Sequence, residues 1–141
     1  MKVRNGRPSD YEKVKTVMNE WWGGRQVDHL QHELFFEHFT NTVFIAEDFS
    51  GKMIGFINGF YSQVDLSIAY VHFIGVDPSV RGRNIGKQLY QHFFDKCLSD
   101  GRKIVISCTS KINEPSILFH KKIGFNANVD HRGKIQFQKI L

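Results

Sequence analysis

Between Val76 and Lys87 the chain reads Val-Asp-Pro-Ser-Val-Arg-Gly-Arg-Asn-Ile-Gly-Lys, a basic, glycine-containing turn where an apolar strand hands over to a helix. A turn of this kind at a helix N-terminus offers unpaired backbone N–H groups and the positive end of the helix dipole to whatever stands before it. Its chemistry is that of an anion cradle, and a pyrophosphate fits. Gly82 and Gly86 permit close backbone approach, and Asn84 tolerates the left-handed conformation that usually calls for glycine. Arg81, Arg83 and Lys87 add ionic contacts. Taken alone, the loop reads equally well as an ordinary strand–turn–helix junction with solvated cations.

Two further groups could do chemistry. Along Tyr70-Val71-His72-Phe73-Ile74-Gly75-Val76, strand alternation predicts Tyr70, His72, Ile74 and Val76 on one face. His72 could take a proton near neutral pH, or be a satisfied, half-buried sheet residue. In Trp21-Trp22-Gly23-Gly24-Arg25, Trp21 continues the apolar stripe of a preceding helix and reads as core. That leaves Trp22 and Arg25 as candidates to recognise a substrate, because aromatic faces favour cations or flat groups and a guanidinium favours carboxylate or phosphate. His29, His32 and His38 lack metal-ligand spacing with a nearby carboxylate, so no metal is expected.

The elements that must position these groups follow from periodicity. Ser9 and Glu12 have the spacing of a capping box, and Tyr11, Val14, Val17, Met18 and Trp21 recur at helical intervals until Gly23-Gly24. A shorter helix is predicted from Leu30 to Phe39, with Leu30, Leu34, Phe35 and Phe39 inward. Three strands follow as an antiparallel meander, Thr42 to Glu47, Met53 to Tyr61 and Ile68 to Val76, the first two joined by a turn at 48–52. A helix from about Asn84 to Ser99 buries Ile85, Leu89, Phe93 and Cys97. Lys103 to Cys108 reads as a buried strand and Glu114 to Ile123 as a helix closed by Gly124. A terminal hairpin turns near Asp130 to Gly133. This order predicts an α+β fold, helices sandwiching one mixed sheet.

The chain has 141 residues and a formal charge of +5, the size of one domain, and residues 1–141 are read as a single unit. Hydrophobic residues make up 41%, enough for a packed core and against global disorder. Cys97 and Cys108 are the only cysteines, which excludes a disulfide scaffold or a Cys-rich zinc site and suits a reducing compartment. With no signal-like N-terminus and no membrane-length apolar run, a cytoplasmic protein without membrane association is expected. The basic balance also suits nucleic acid, yet Lys and Arg are scattered without a recognised binding motif, so no nucleic-acid partner is expected.

Two blocks carry a resemblance. Arg81-Gly82-Arg83-Asn84-Ile85-Gly86 resembles the acetyl-CoA signature Arg/Gln-x-x-Gly-x-Gly/Ala of the GNAT acetyltransferase superfamily. Asn113-Glu114-Pro115-Ser116-Ile117-Leu118-Phe119-His120-Lys121-Lys122-Ile123-Gly124-Phe125 is similar to that family's later motif, in which Asn opens a helix and Tyr-x-Lys-x-Gly-Phe closes it. The similarity of element order extends over essentially the whole chain. It implies a mostly antiparallel sheet of about seven strands with four helices, splayed between the fourth and fifth strands.

The resemblance further implies an acetyl-CoA-dependent N-acetyltransferase that uses acetyl-CoA as cosubstrate and a small-molecule or peptide amine as acceptor. The backbone at Ile74 and Val76 would pair with pantetheine amides. The amides of Gly82, Arg83, Asn84, Ile85, Gly86 and Lys87 would receive the pyrophosphate. Asn113, assisted by Ser116, would reach the pantetheine from the other side, and Lys121 or Lys122 could meet phosphates. His120 stands in place of the family's usual Tyr, the general acid for the departing thiolate. A thiolate, conjugate base of a thiol of pKa near ~8.5, can take a proton from an imidazolium near ~6.5, although His120 could equally serve packing alone. Tyr70 stands where some members carry a catalytic Glu, and His72, two residues on, is the preferred base. Direct attack is expected, since Cys97 and Cys108 give little support for an acetyl-enzyme. A non-catalytic acetyl-CoA sensor is the alternative, and a homodimer through the terminal strands is compatible with the hairpin edge.

Overall fold

The computed structural model describes residues 1–141 and orders them as β1 (Lys2–Asn5), α1 (Asp10–Trp21), α2 (Leu34–His38), β2 (Val43–Glu47), β3 (Met53–Tyr61), β4 (Ile68–Val76), α3 (Ile85–Ser99), β5 (Ile104–Thr109), α4 (Glu114–Lys122), β6 (Asn126–Val129) and β7 (Ile135–Ile140). One seven-stranded sheet runs β1-β2-β3-β4-β5-β7-β6. Every neighbouring pair is antiparallel except the parallel β4–β5 pair. The sheet separates two cores. On one side α3 lays Ile85, Leu89, Tyr90, Phe93 and Cys97 over Ile57, Val71 and Val105. On the other, Val14, Met18 and Trp21 of α1 meet Phe36, Ile45 and Phe56. Trp21 is therefore core, as its position in the apolar stripe predicts.

The start of α1 departs from the expected capping box, because Ser9 makes no side-chain cap bond. Asp10, fully buried, satisfies the helix start instead. Its Oδ2 accepts from the Arg7 N–H at 2.8 Å, and its carboxylate accepts the Arg4 guanidinium at 2.8 and 2.9 Å. Burial alone would raise the Asp10 pKa; the Arg4 fork and the Arg7 N–H outweigh it and hold the carboxyl below its ordinary range.

The helix predicted from Leu30 to Phe39 is broken. A single 3₁₀ turn (Asp28–Leu30) precedes α2, and Gln31 between them is extended, with ψ 148°. The cause lies 27 residues away. Gln31 and Asn58, both buried, exchange amide hydrogen bonds of 2.9 and 3.0 Å, which pins Gln31 against the sheet. Leu30, Leu34 and Phe39 consequently face solvent while Phe35 and Phe36 are buried. Burying one Phe is worth about 2–3 kcal/mol, so the pair outweighs the exposed leucines.

The strand that carries the candidate residues also departs from simple alternation. Opposite Asn58 and Gly59 the register with β4 jumps from Phe73 to Val71, leaving His72 as an extra residue in a β-bulge. Thr42 Oγ1 donates to Gly59 O at 2.6 Å at the same point. Beyond the bulge the faces exchange. Ala69, Val71, Ile74 and Val76 pack toward α3, whereas Tyr70, His72 and Phe73 stack among aromatic rings on the α1–α2 side. The predicted common face of Tyr70, His72, Ile74 and Val76 is thus corrected to two faces.

Candidate active site

The turn before α3 forms as its residue types require. Gly82 has φ +87° and Asn84, the N-cap, sits left-handed at φ 61°, ψ 21°. The first helical acceptor is Asn84 O, which takes the Gln88 N–H at 3.0 Å. The backbone N–H groups of Gly82, Arg83, Asn84, Ile85, Gly86 and Lys87 have no acceptor within the protein. Six consecutive free donors at a helix start make an anion site of the kind the dipole favours. Gly86 lies close beneath α4: a Cβ there would lie 3.0 Å from Phe119 Cζ, so a side chain fits only if that ring shifts. Arg81 behaves differently from the expected phosphate contact. Its Nε donates to Val76 O at 3.2 Å and its Nη2 to Trp21 O at 2.7 Å, bracing the end of α1 against β4. Arg83 stays off the cleft wall, whereas Arg81 and Lys87 border it.

Beside this turn the sheet opens. The β4–β5 ladder runs from Ile68↔Ile104 to Val71↔Ser107 and ends, although β4 continues to Val76 and β5 to Thr109. Ser107 Oγ donates to Val71 O at 3.2 Å on the last rung. The Asp77 N–H donates to Ile54 O at 2.9 Å across β3. Alternation then turns the peptide groups of Val76 and Ile74 away from β3, into the opening, where they can pair with an extended ligand. A cleft of about 1070 Å³ follows, bordered by the α3 turn, the free edge of β4, Thr109, Asn113 and Ser116. Asn113 caps α4: its Oδ1 accepts from the Ser116 N–H at 3.4 Å and its Nδ2 donates to Thr109 Oγ1 at 3.0 Å.

His72 lies on the cleft wall. Its Nε2 is 2.8 Å from Leu30 O, and a carbonyl can only accept, so Nε2 carries the proton and Nδ1 keeps a lone pair without a protein partner. The ring stacks on Phe35 (centroids 5.1 Å, 10°) and on His32 (5.7 Å, 26°). Burial lowers its pKa, the bond to Leu30 O opposes this, and the neighbouring His32 adds to the lowering. His72 is therefore neutral at pH 7, the form a base needs. Tyr70, also in the expected catalytic set, stacks on Phe60 (5.4 Å) and does not border the cleft.

His120, the expected acid, borders the cleft but is only 2% exposed, and it stacks on Phe137 at 4.1 Å and 3°. Its Nδ1 is 2.8 Å from Ser116 O and so donates, while its Nε2, 2.6 Å from Tyr90 Oη, accepts the phenol proton. Burial pushes its pKa down to about 4, against the Ser116 bond that raises it. The ring stays uncharged from neutral pH down to that pKa, and its one N–H is committed to Ser116 O. Tyr90, fully buried, is a partner that no local pattern signals: it falls on the inward stripe of α3, where an apolar role is the natural reading.

At the other rim Trp22 meets Phe73 edge to face (5.6 Å, 90°), and Arg25 also borders the cleft. Cys108, beyond the last β4–β5 rung, lies on the wall too, with its thiol raised in pKa by burial. No group of three His, Cys, Asp or Glu side chains is placed to hold a metal ion. No helix is long and apolar enough to cross a membrane.

A helix start with free N–H donors thus stands beside an unpaired strand edge in a mixed sheet of this order. The chain belongs to the acetyltransferase (GNAT) family, whose model matches residues 11–125. It is 30% identical over 100 residues to an N-acetyltransferase of Methanocaldococcus jannaschii, covering 68% of this chain and 44% of that protein. The chain thus spans less than half the length of this relative. It is 23% identical to the L-methionine sulfoximine/L-methionine sulfone acetyltransferase of Pseudomonas aeruginosa, over 87% of this chain and 78% of that one. Among solved structures, the diaminobutyrate acetyltransferase of Paenibacillus lautus, in complex with its substrate and coenzyme A, superposes with a TM-score of 0.78 at 19% identity. That match covers 97% of this chain and 92% of the other.

Proposed function

We propose that residues 1–141 form one unit that transfers the acetyl group of acetyl-CoA to the primary amine of a small molecule by direct attack. The observation that carries the reading is the row of six free N–H groups at the start of α3, adjoining the unpaired edge of β4. The first suits a pyrophosphate, the second an extended amide chain. Both occupy one cleft, as a single cosubstrate requires. Relatives named for acceptors such as L-2,4-diaminobutyric acid support a small-molecule amine.

In this reading the acceptor enters past Trp22 and Phe73. Its nitrogen lone pair bonds to the thioester carbonyl carbon, and the carbon–sulfur bond breaks with its electron pair passing to sulfur. His72 Nδ1 accepts the proton shed by the nitrogen, directly or through water, once the new bond has made that nitrogen far more acidic than an alkyl ammonium of pKa ~10.4. The thiolate, conjugate base of a thiol of pKa near ~8.5, leaves without a side-chain acid and is protonated by water.

Two measurements check this. Initial rates with both substrates varied are expected to give intersecting, sequential patterns; an isolated acetyl-enzyme able to pass its acetyl group on would contradict direct attack. Gly86→Val forces methyl groups against Phe119 and Val76, on the walls beside the α3 start. It is expected to weaken coenzyme A binding by about tenfold, from an overpacking cost of ~1–3 kcal/mol. Calorimetric titration with coenzyme A reads this directly, and wild-type affinity would move the pyrophosphate site elsewhere.

A further inference from the structure

The charged side chains on the cleft wall are all cationic: Arg25, Arg81, Lys87, Lys122 and Lys139, with no Asp or Glu among the bordering residues. Most are placed away from an incoming acceptor. Lys87 is in the first turn of α3, Lys122 ends α4, and Lys139 donates to Ile123 O at 3.1 Å. Arg81 is bound to the backbone carbonyls of Val76 and Trp21. Arg25 alone stands on the α1–α2 rim with its guanidinium bonded to no protein group, although its backbone is well anchored. The Gly24 N–H donates to Asn19 O at 2.7 Å, and Asn19 Oδ1 accepts the N–H groups of Val27 and Asp28 at 2.8 and 3.0 Å, so the loop is tied down on both sides of Arg25. Next to it, Trp22, Phe73 and neutral His72 offer aromatic faces and a lone pair to an amine. Asp130, 4.0 Å behind the cleft residue Cys108, is neutralised by Arg132 at 3.0 Å.

We infer that the acceptor is an acid-bearing amine of the amino-acid type, its carboxylate held by Arg25 and its amine placed between Trp22, Phe73 and His72. The inference rests on the acetyl-transfer reading. A free guanidinium takes a carboxylate in a two-bond fork. A polyamine or aminoglycoside brings further ammonium groups, which meet Arg25 with no carboxylate on the wall to neutralise them. Such acceptors are selected against by repulsion as well as by lost contact.

The test is thiol release from acetyl-CoA by the purified chain with the proteinogenic L-amino acids, with the amines left when their carboxyl groups are removed, and with spermidine. The best amino acid is expected to exceed its decarboxylated amine in kcat/KM by about tenfold or more, the worth of one charge-assisted fork at a partly exposed site. Arg25→Gln is expected to erase that ratio by raising KM for the amino acid, with kcat much less affected, and Arg25→Lys to restore part of it. Preference for spermidine or for the decarboxylated amines would overturn the inference and leave acetyl transfer standing. An acid preference that survives Arg25→Gln would also overturn it. Tight acetyl-CoA binding with no transfer to any amine would overturn the transferase reading, and this inference with it.

Discussion

Replacing His72 by Phe lowers kcat/KM by about a hundredfold or more, within the ~10²–10⁴ that a positioned base contributes. The phenyl ring keeps the stacking on Phe35 and His32 and gives up only the bond to Leu30 O, so the fold is retained and the loss is chemical. The pH profile separates this from a packing defect. The wild type needs neutral His72, so its rate falls as pH drops through a pKa that burial holds below the ordinary ~6.5. In His72→Phe that acidic limb disappears, and the remaining pH dependence follows the acceptor's own amine. An acidic limb unchanged in His72→Phe would acquit His72 and leave the proton to bulk water.

Acidification is expected to destabilise the protein through His120. Its folded-state pKa, near 4, lies below the ordinary histidine value of ~6.5, so the native state binds fewer protons than the unfolded chain. The contribution is fully present above pH ~6.5, declines as pH falls, and is lost through pH ~4; about 2.5 units correspond to roughly 3 kcal/mol. Urea unfolding at pH 7.5 and 4.5 is expected to show the wild type losing roughly 2–3 kcal/mol more than His120→Phe over that interval. At pH 7.5 the variant itself is less stable by about 1–3 kcal/mol, because Tyr90 Oη loses its acceptor at 2.6 Å. Adding Tyr90→Phe restores part of this by removing both partners. The kcat of folded His120→Phe stays near the wild-type value. A fall in kcat without the pH-dependent stability difference would return His120 to the role of acid.

The fold was legible where local pattern decides. The bounds of β3 and β4 follow from apolar runs closed by turn residues, and the left-handed Asn84 and free Gly82 from the demands of a helix start that takes an anion. Other features rest on partners far along the chain. Gln31 and Asn58, buried together, break the second helix, and Tyr90, 30 residues from His120, occupies the Nε2 that a sequence reading leaves free for chemistry. The bulge at His72 is invisible in Phe73-Ile74, since two adjacent apolar residues satisfy either face. It moves the candidate base to the acceptor side, away from the α3 face on which Ile74 and Val76 pack. This arrangement suits a base better than the common face that alternation predicts.

The most direct test of acetyl transfer is to incubate the purified chain with acetyl-CoA and a broad amine panel, following free thiol and the acetylated amine together by mass spectrometry. Stoichiometric appearance of coenzyme A and one N-acetylated acceptor, slowed about a hundredfold or more when His72 is replaced by Phe, is the predicted result. Tight acetyl-CoA binding with no acetylated amine from any member of the panel would contradict it and make the chain a sensor of the cosubstrate.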